Sequence, residues 1–260
     1  MGTMTKRRLI KTLLVLGALG AVLFVSSAQA IRIRAGDLVI IADGGFRPVT
    51  LPKHQNAPIT LYGGGRLETV SGALPPIIET ITIEYDRHGS VITTGLPVCR
   101  QGQLEATIVA QARRACGRSI VGRGSGSAMV AFPEQRPFKV SSPITLFNGP
   151  KKRGRPTVLA HAYTTVPVPT TFIVPVVIEK INKGVFGYRT EAKIPRIAGG
   201  YGIPVSGELT IGKKWAHGGK RLSYINARCA TGVLQARGLF GFKDGTLLRG
   251  SFAKRCKVRR

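Results

Sequence analysis

Residues 77–86 read IIETITIEYD, and their spacing decides how the chain is built. From Thr80 to Tyr85 polar and apolar residues alternate one for one. That is the two-residue period of a strand with one dry and one wet face, not the 3.6-residue period of a helix. Similar segments recur as LVIIAD, SVITTG, AMVAFP, KVSSPITLF, TVLAHAY, TFIVPVVIEKI, VSGELTIG, VLQARGLFGF and TLLRGSFAKRC, bounded by Gly, Pro and Asn. Turn signals separate them at Asp86-Arg87-His88-Gly89, Asn182-Lys183-Gly184, His217-Gly218-Gly219 and Lys243-Asp244-Gly245. The Asp244-Gly245 pair is the strongest hairpin signal in the chain. Pro167, Pro169 and Pro175 mark edges or bulges, because proline has no amide donor for a central strand. The expectation is a mainly β fold, an antiparallel sandwich or partly open barrel, with one short helix near residues 103–116.

The chain opens with a basic segment, MGTMTKRRLIK, followed by the apolar run TLLVLGALGAVLFV and the small-residue stretch SSAQA. This reads as a secretory signal peptide over residues 1–30. Its apolar run from Leu13 to Val25 would reach only ~20 Å as a helix, short of a ~30 Å hydrocarbon core. The Arg7-Arg8 pair leaves the twin-arginine and general export routes both open. Residues 31–260 then form a single mainly-β exported domain, secreted or held in the cell envelope outside the cytoplasmic membrane. APITLYGG and SPITLFNG resemble each other, as do ITIEYDRHG and VVIEKINKG, which admits two related β units at about 31–135 and 136–260.

Export changes how cysteines are read. Cys99, Cys116, Cys229 and Cys256 make an even set with three possible pairings, and the local pairs, Cys99 with Cys116 and Cys229 with Cys256, are favoured. The segment between the first pair, RQGQLEATIVAQARRA, carries the helix: Leu104, Ile108, Ala112 and Ala115 recur on one face, Glu105 opens it, and Arg113, Arg114 and Gly117 close it. A bridge across it requires the preceding residues to run back along the helix, or the helix to end a turn early. No C-x-x-C pair exists, and His54, His88, His161 and His217 stand far apart, so neither a metal nor a redox dithiol is expected. No cofactor is expected either.

Charge points to partners. The formal net charge is +27, and losing the four leader cations Lys6, Arg7, Arg8 and Lys11 leaves about +23 with only 12 acidic residues. Such a field attracts polyanions and releases their counterions on contact. The tail AKRCKVRR is the densest block, so Lys254, Arg255, Lys257, Arg259 and Arg260 are the candidate polyanion-binding residues. Anionic envelope polymers and anionic lipid surfaces are the expected partners. Nothing indicates specific nucleic acid recognition.

Catalytic patterns are mostly missing. VGRGSGSAM places Gly122, Gly124 and Gly126 after a strand, as in a dinucleotide-binding turn, but a strand-like MVAFP follows where a helix is required, so these glycines read as sites of strand bending or close approach. No G-x-S-x-G register is present there. Glu84 and Asp86 share a strand face and read as solvated charges. His161 sits among apolar residues and reads as a satisfied structural histidine. LPPIIETITI, TVLAHAYTTVPVPTTFIVPVVI and IPRIAGGYGIPV would line either an ordinary core or a cavity for an apolar small molecule.

GLPVCRQGQL, ARRACGRSIVGRG, SPITLFNGP, IPRIAGGYG, SYINARC and the closing FKDG with Cys256 together resemble a group of uncharacterised exported proteins of actinobacteria. The resemblance covers most of the mature chain and implies that its cysteines and glycines are framework; it brings no activity with it. The expected function is a non-enzymatic exported binding protein with a basic surface. A carrier of an apolar ligand and a hydrolase of an envelope substrate built on His161, Glu84 or Asp86 are the alternatives. The secreted protein should begin at Ile31, and intact mass with N-terminal sequencing checks this; a retained leader would undo the export reading.

Overall fold

The alternating segments become strands. The first half of the chain holds β1 (Ile31–Ala35), β2 (Leu38–Arg47), β3 (Thr50–Leu51), β4 (Ala57–Pro58), β5 (Thr60–Thr69), β6 (Ile78–Asp86), β7 (Gly89–Val91) and β8 (Ile120–Val130). The second half adds β9 (Phe138–Lys152), β10 (Arg155–Thr164), β11 (Thr170–Lys183), β12 (Phe186–Lys193), β13 (Gly202–Ile211) and β14 (Lys214–His217). It ends with β15 (Lys220–Ser223), β16 (Ile225–Ala227), β17 (Val233–Phe242), β18 (Leu247–Arg255) and β19 (Lys257–Val258). The computed structural model describes residues 30–259; the expected signal peptide, but for its last residue, and Arg260 lie outside the described residues.

Twelve strands make one antiparallel sheet in the order β1-β2-β5-β13-β8-β9-β10-β11-β12-β6-β17-β18. The sheet nearly closes into a barrel. Its edges meet through side chains: a Cβ on Gly250 of β18 would fall 2.1 Å from Cδ1 of Ile33 on β1, and Lys254 reaches Asp43 of β2 at 2.9 Å. Strands from the two halves of the chain interleave, with β13 between β5 and β8 and β6 between β12 and β17. The hairpin at Lys243-Asp244-Gly245 forms, with Gly245 at φ 86° donating its amide to Phe242.

Alternation sorts the side chains. On β18 Leu248, Gly250, Phe252 and Lys254 are more covered than their exposed neighbours Leu247, Arg249, Ser251 and Ala253. Eight strands enclose a space that their own side chains fill, and twelve enclose more. One end is filled by a plug: β16 pairs with both β4 and β7 in a separate three-stranded sheet. Tyr224, Ile225 and Ala227 of this plug pack with Leu51, Ile59 and Leu96 against the wall residues Phe46, Leu146, Val158 and Ile178. A second apolar cluster, Leu38, Ile40, Ile78, Phe242 and Leu248, lies toward the other end.

Both local disulfides form, with Cα separations of 5.5 Å for Cys99–Cys116 and 5.8 Å for Cys229–Cys256. Closing loops of 17 and 27 residues contributes about 3 and about 3.5 kcal/mol in the chain-entropy model. The first bridge holds the helix against the outside of the barrel. There Leu104 and Ala112 cover Phe147 and Leu159, whose neighbours Leu146 and Val158 face the plug.

The helix is shorter than expected. It spans Val109–Cys116, with separate 3-10 turns at Gln101–Gln103 and Gly117–Ser119. Leu104 lies before it, Ile108 is its N-cap, Ala115 is exposed, and Gly117 keeps a right-handed φ of −56°. The chain turns at Ala106, φ 53°, and the Thr107 hydroxyl donates to the Leu104 carbonyl. A β-branched run, Thr107-Ile108-Val109, with a hydroxyl competing for backbone acceptors, resists an earlier start.

Gly122 and Gly124 are sites of close strand approach. A Cβ on Gly124 would lie 1.9 Å from the carbonyl oxygen of Glu208 on the neighbouring β13, and one on Gly122 would lie 2.4 Å from that of Thr210. Backbone cannot retreat there without parting the β8–β13 ladder. Gly126 is looser, its nearest contact being Cδ1 of Ile144 at 3.3 Å. Gly124→Val should therefore cost about 3 kcal/mol or more in urea unfolding, while Gly126→Ala stays close to the native stability.

Candidate polyanion-binding face

Antiparallel order collects loops. The ends of β2, β6, β9, β11, β13 and β18, and the starts of β5, β8, β10, β12 and β17, all lie at the plugged end of the barrel. The β9–β10 hairpin brings Lys151, Lys152 and Arg153 there, all exposed, with Arg153 and Gly154 supplying the positive φ of the turn at 50° and 77°. Lys183 enters at the β11–β12 turn, Arg118 before β8, and Lys214 and Arg221 on the β14–β15 hairpin. None of these makes an ion pair among the described residues.

Acidic residues nearby are already engaged. Glu179 pairs with Arg155 at 2.9 Å, and Asp43 with Lys254 at 2.9 Å. Asp86 accepts from the amide of His88 at 2.9 Å and that of Gln235 at 3.0 Å, and also contacts the His88 ring at 2.8 Å. The remaining cations thus face outward with no internal carboxylate to neutralise them.

Two open grooves mark this end. One, of about 360 Å³, is lined by Pro58, Lys214, Trp215, Ala216, Arg221 and Leu222. The other, of about 310 Å³, is bordered by Thr93, Thr94, Gly95, Asn148 and Lys151 among others. Trp215 donates its indole N–H to the Thr94 carbonyl at 3.0 Å, which ties the wall of the first groove to the edge of the second. The ring also packs against the plug cluster, so its orientation is fixed from behind. Lys213, beside it, donates to the Arg118 carbonyl; partial burial, with the Arg118 charge, lowers its pKa.

The tail residues divide. β19 pairs in parallel with β3, the Lys257 amide donating to Val49 at 2.9 Å and the Arg259 amide to Leu51 at 2.8 Å. With the adjacent Cys229–Cys256 bridge this fixes the backbone and leaves Arg255, Lys257 and Arg259 exposed at the plugged end. Lys254 differs: its ammonium is taken by Asp43 across the barrel seam. Arg260 lies outside the described residues.

Glu84 and Asp86 are buried, which corrects the expectation of solvated charges. Glu84, only 2% exposed, stands between Arg189 on β12 and Arg237 on β17 in direct register, and its two oxygens receive one guanidinium each. Arg237 also stacks on Phe186, 4.5 Å from the ring centre. Burial pushes the Glu84 carboxyl up, but the bonds from Arg237 and Arg189 outweigh it and leave the pKa below the ordinary carboxylate value.

His161 is fully buried on β10, edge-on to Phe147. Its Nε2 lies 3.1 Å from both the hydroxyl and the carbonyl oxygen of Thr107, while Nδ1 has no partner among the described residues. Burial lowers its pKa. β11 and β12 separate it from Glu84, at least three strand spacings, or about 14 Å. These three residues do not converge on one cleft.

Neither protein-family models, nor curated proteins, nor solved structures give a match to this chain. Sequence reading singled out the tail but passed over Lys151-Lys152-Arg153, Lys214, Trp215 and Arg221. The run GPKKRGRP, a turn of cations framed by prolines, was the available signal.

The Glu84 network has a measurable signature. Its lowered pKa contributes stability that is present above the ordinary Glu value of about 4.3 and lost as pH falls through and below it. Glu84→Gln should cost about 2 kcal/mol at neutral pH, less than a fully buried pair because Arg189 and Arg237 keep some solvent contact. It should also flatten the loss of stability between about pH 5 and pH 3, as read by denaturant unfolding across that range.

Proposed function

We propose that the chain acts outside the cytoplasmic membrane as a non-enzymatic binding protein that holds an anionic polymer on the plugged end of its barrel. The observation that carries this reading is the gathering of unpaired cations from separate hairpins, Lys151-Lys152-Arg153, Lys183, Lys214, Arg221 and the Arg255–Arg259 tail, on one end of a rigid wall. A polyanion laid across them would shed counterions at many points at once, so affinity builds without any deep pocket. Trp215, held between Lys214 and Arg221 at a groove, offers a flat apolar face beside the charges. The leader-like sequence of residues 1–30 and the two disulfides support an extracytoplasmic setting.

Binding of inorganic polyphosphate and of dextran sulfate, followed by fluorescence anisotropy, tests the reading. Affinity should fall linearly on a log–log plot against salt, and Lys151→Glu/Lys152→Glu/Arg153→Glu should weaken it at least tenfold. Equal binding of uncharged dextran, or affinity indifferent to salt, would reject it.

A further inference from the structure

The other end of the barrel has a different chemistry. It collects the β5–β6, β8–β9, β10–β11, β12–β13 and β17–β18 connections. Large apolar side chains stand exposed on four of them: Val70 at 54% and Leu74 at 41%, Val166 at 46% and Val168 at 61%, Tyr201 at 46%, and Leu247 at 80%. Tyr201 leans on Phe132 of the fifth, 5.2 Å between ring centres, so the β8–β9 loop adds an aromatic to the same rim. Half of the exposed large apolar side chains in the described residues are on this rim.

Exposed cations share this end. Arg136 and Lys139 follow Phe132, Lys193 and Arg196 precede Tyr201, and Lys243 and Arg249 bracket Leu247. Asp37, Glu79, Glu134 and Asp244 share this end, with Asp37 bonded to the amide and hydroxyl of Ser71. Glu68 is held by Arg32 and Arg66. Exposed apolar groups on separate connections, set among exposed cations that outnumber the carboxylates of this end, match an anionic bilayer surface, where apolar side chains reach the acyl boundary and cations meet phosphates. A protein groove would instead call for one continuous apolar strip.

We propose that this open rim is a membrane-docking surface that seats the barrel end-on on an anionic lipid bilayer. Val166 and Val168 on their proline-rich loop, with Leu247, enter the acyl boundary, and Tyr201 lies at the headgroup level. Docking leaves the plugged end pointing away from the membrane.

Co-sedimentation of the mature chain with phosphatidylglycerol–phosphatidylcholine vesicles, and with vesicles of phosphatidylcholine alone, tests this. Binding should be at least tenfold stronger to the anionic vesicles, and both Val166→Asp/Val168→Asp and Leu247→Asp should weaken it at least tenfold with unchanged thermal unfolding. Those variants should keep native polyphosphate affinity, while the Lys151–Arg153 charge reversals should keep at least half of the native vesicle binding, so the two ends fail independently. No binding to anionic vesicles, unaltered binding by both rim variants, or a concentration-dependent dimer that the rim variants dissolve would overturn the proposal. The last result would make the rim a contact between copies of the chain.

Discussion

The structure depends on how a twelve-stranded wall is kept from being hollow where its strands end. Side chains alone fill a barrel of eight strands, and this one takes in β4, β7 and β16 as a plug at one end. The plug is anchored twice, by ladder bonds and by the Cys229–Cys256 bridge to the end of β18. That placement has a consequence for the chain's charges. Once the inner space near this end is occupied by Leu51, Ile59, Tyr224 and Ile225, the lysines and arginines of the adjoining turns have no interior to enter and stand outward.

Closure makes its own demands. The inward rows run Gly44, Gly63, Leu209, Gly124 and, beside them, Ala42, Gly65, Gly207, Gly126 across four neighbouring strands. A row with almost no side chains lets the wall bend sharply, and the contact of Gly124 with the Glu208 carbonyl marks the tightest approach. On the far side of the barrel, where β6 lies between β12 and β17, no such glycine belt exists. There the strands are fastened on the outside by Arg189, Glu84 and Arg237 in direct register. One region curves because its residues are small, and the other is cross-linked by ionic bonds.

Strand content was legible because alternation is local: IIETITIEYD became β6 and the Asp244-Gly245 pair became a hairpin. The local disulfides were legible for the same reason. Barrel as against sandwich was not, since nothing in a single strand says that β13 inserts between β5 and β8, starting 142 residues after the former's start. The plug was hidden too, because strands of two and three residues such as β4 and β16 carry no readable period. The helix start was misplaced because Leu104 and Ile108 keep helical spacing while Ala106 and Thr107 turn the chain. Glu84 was misread because burial on the outer face comes from two arginines more than 100 residues away, which alternation cannot reveal. The basic face was half legible: charge was visible, but only topology put three hairpins and the tail at one end.

The wall's composition also limits how such a barrel meets a bilayer. Barrels that span membranes turn apolar residues outward in a continuous band and polar ones inward. Here the sense is reversed: β5 presents Arg66 and Glu68 outward, β13 presents Glu208, and β12 presents Arg189 and Glu191, while Leu67, Ile81, Ile83 and Phe240 turn in. An arginine at mid-wall in hydrocarbon would cost about 2 to 4 kcal/mol and a glutamate less, and several strands carry such charges. No helix among the described residues is long and apolar enough to cross either. Contact with lipid through these charged strands is therefore disfavoured, whereas the rim exposes Val166, Val168 and Leu247 on separate connections.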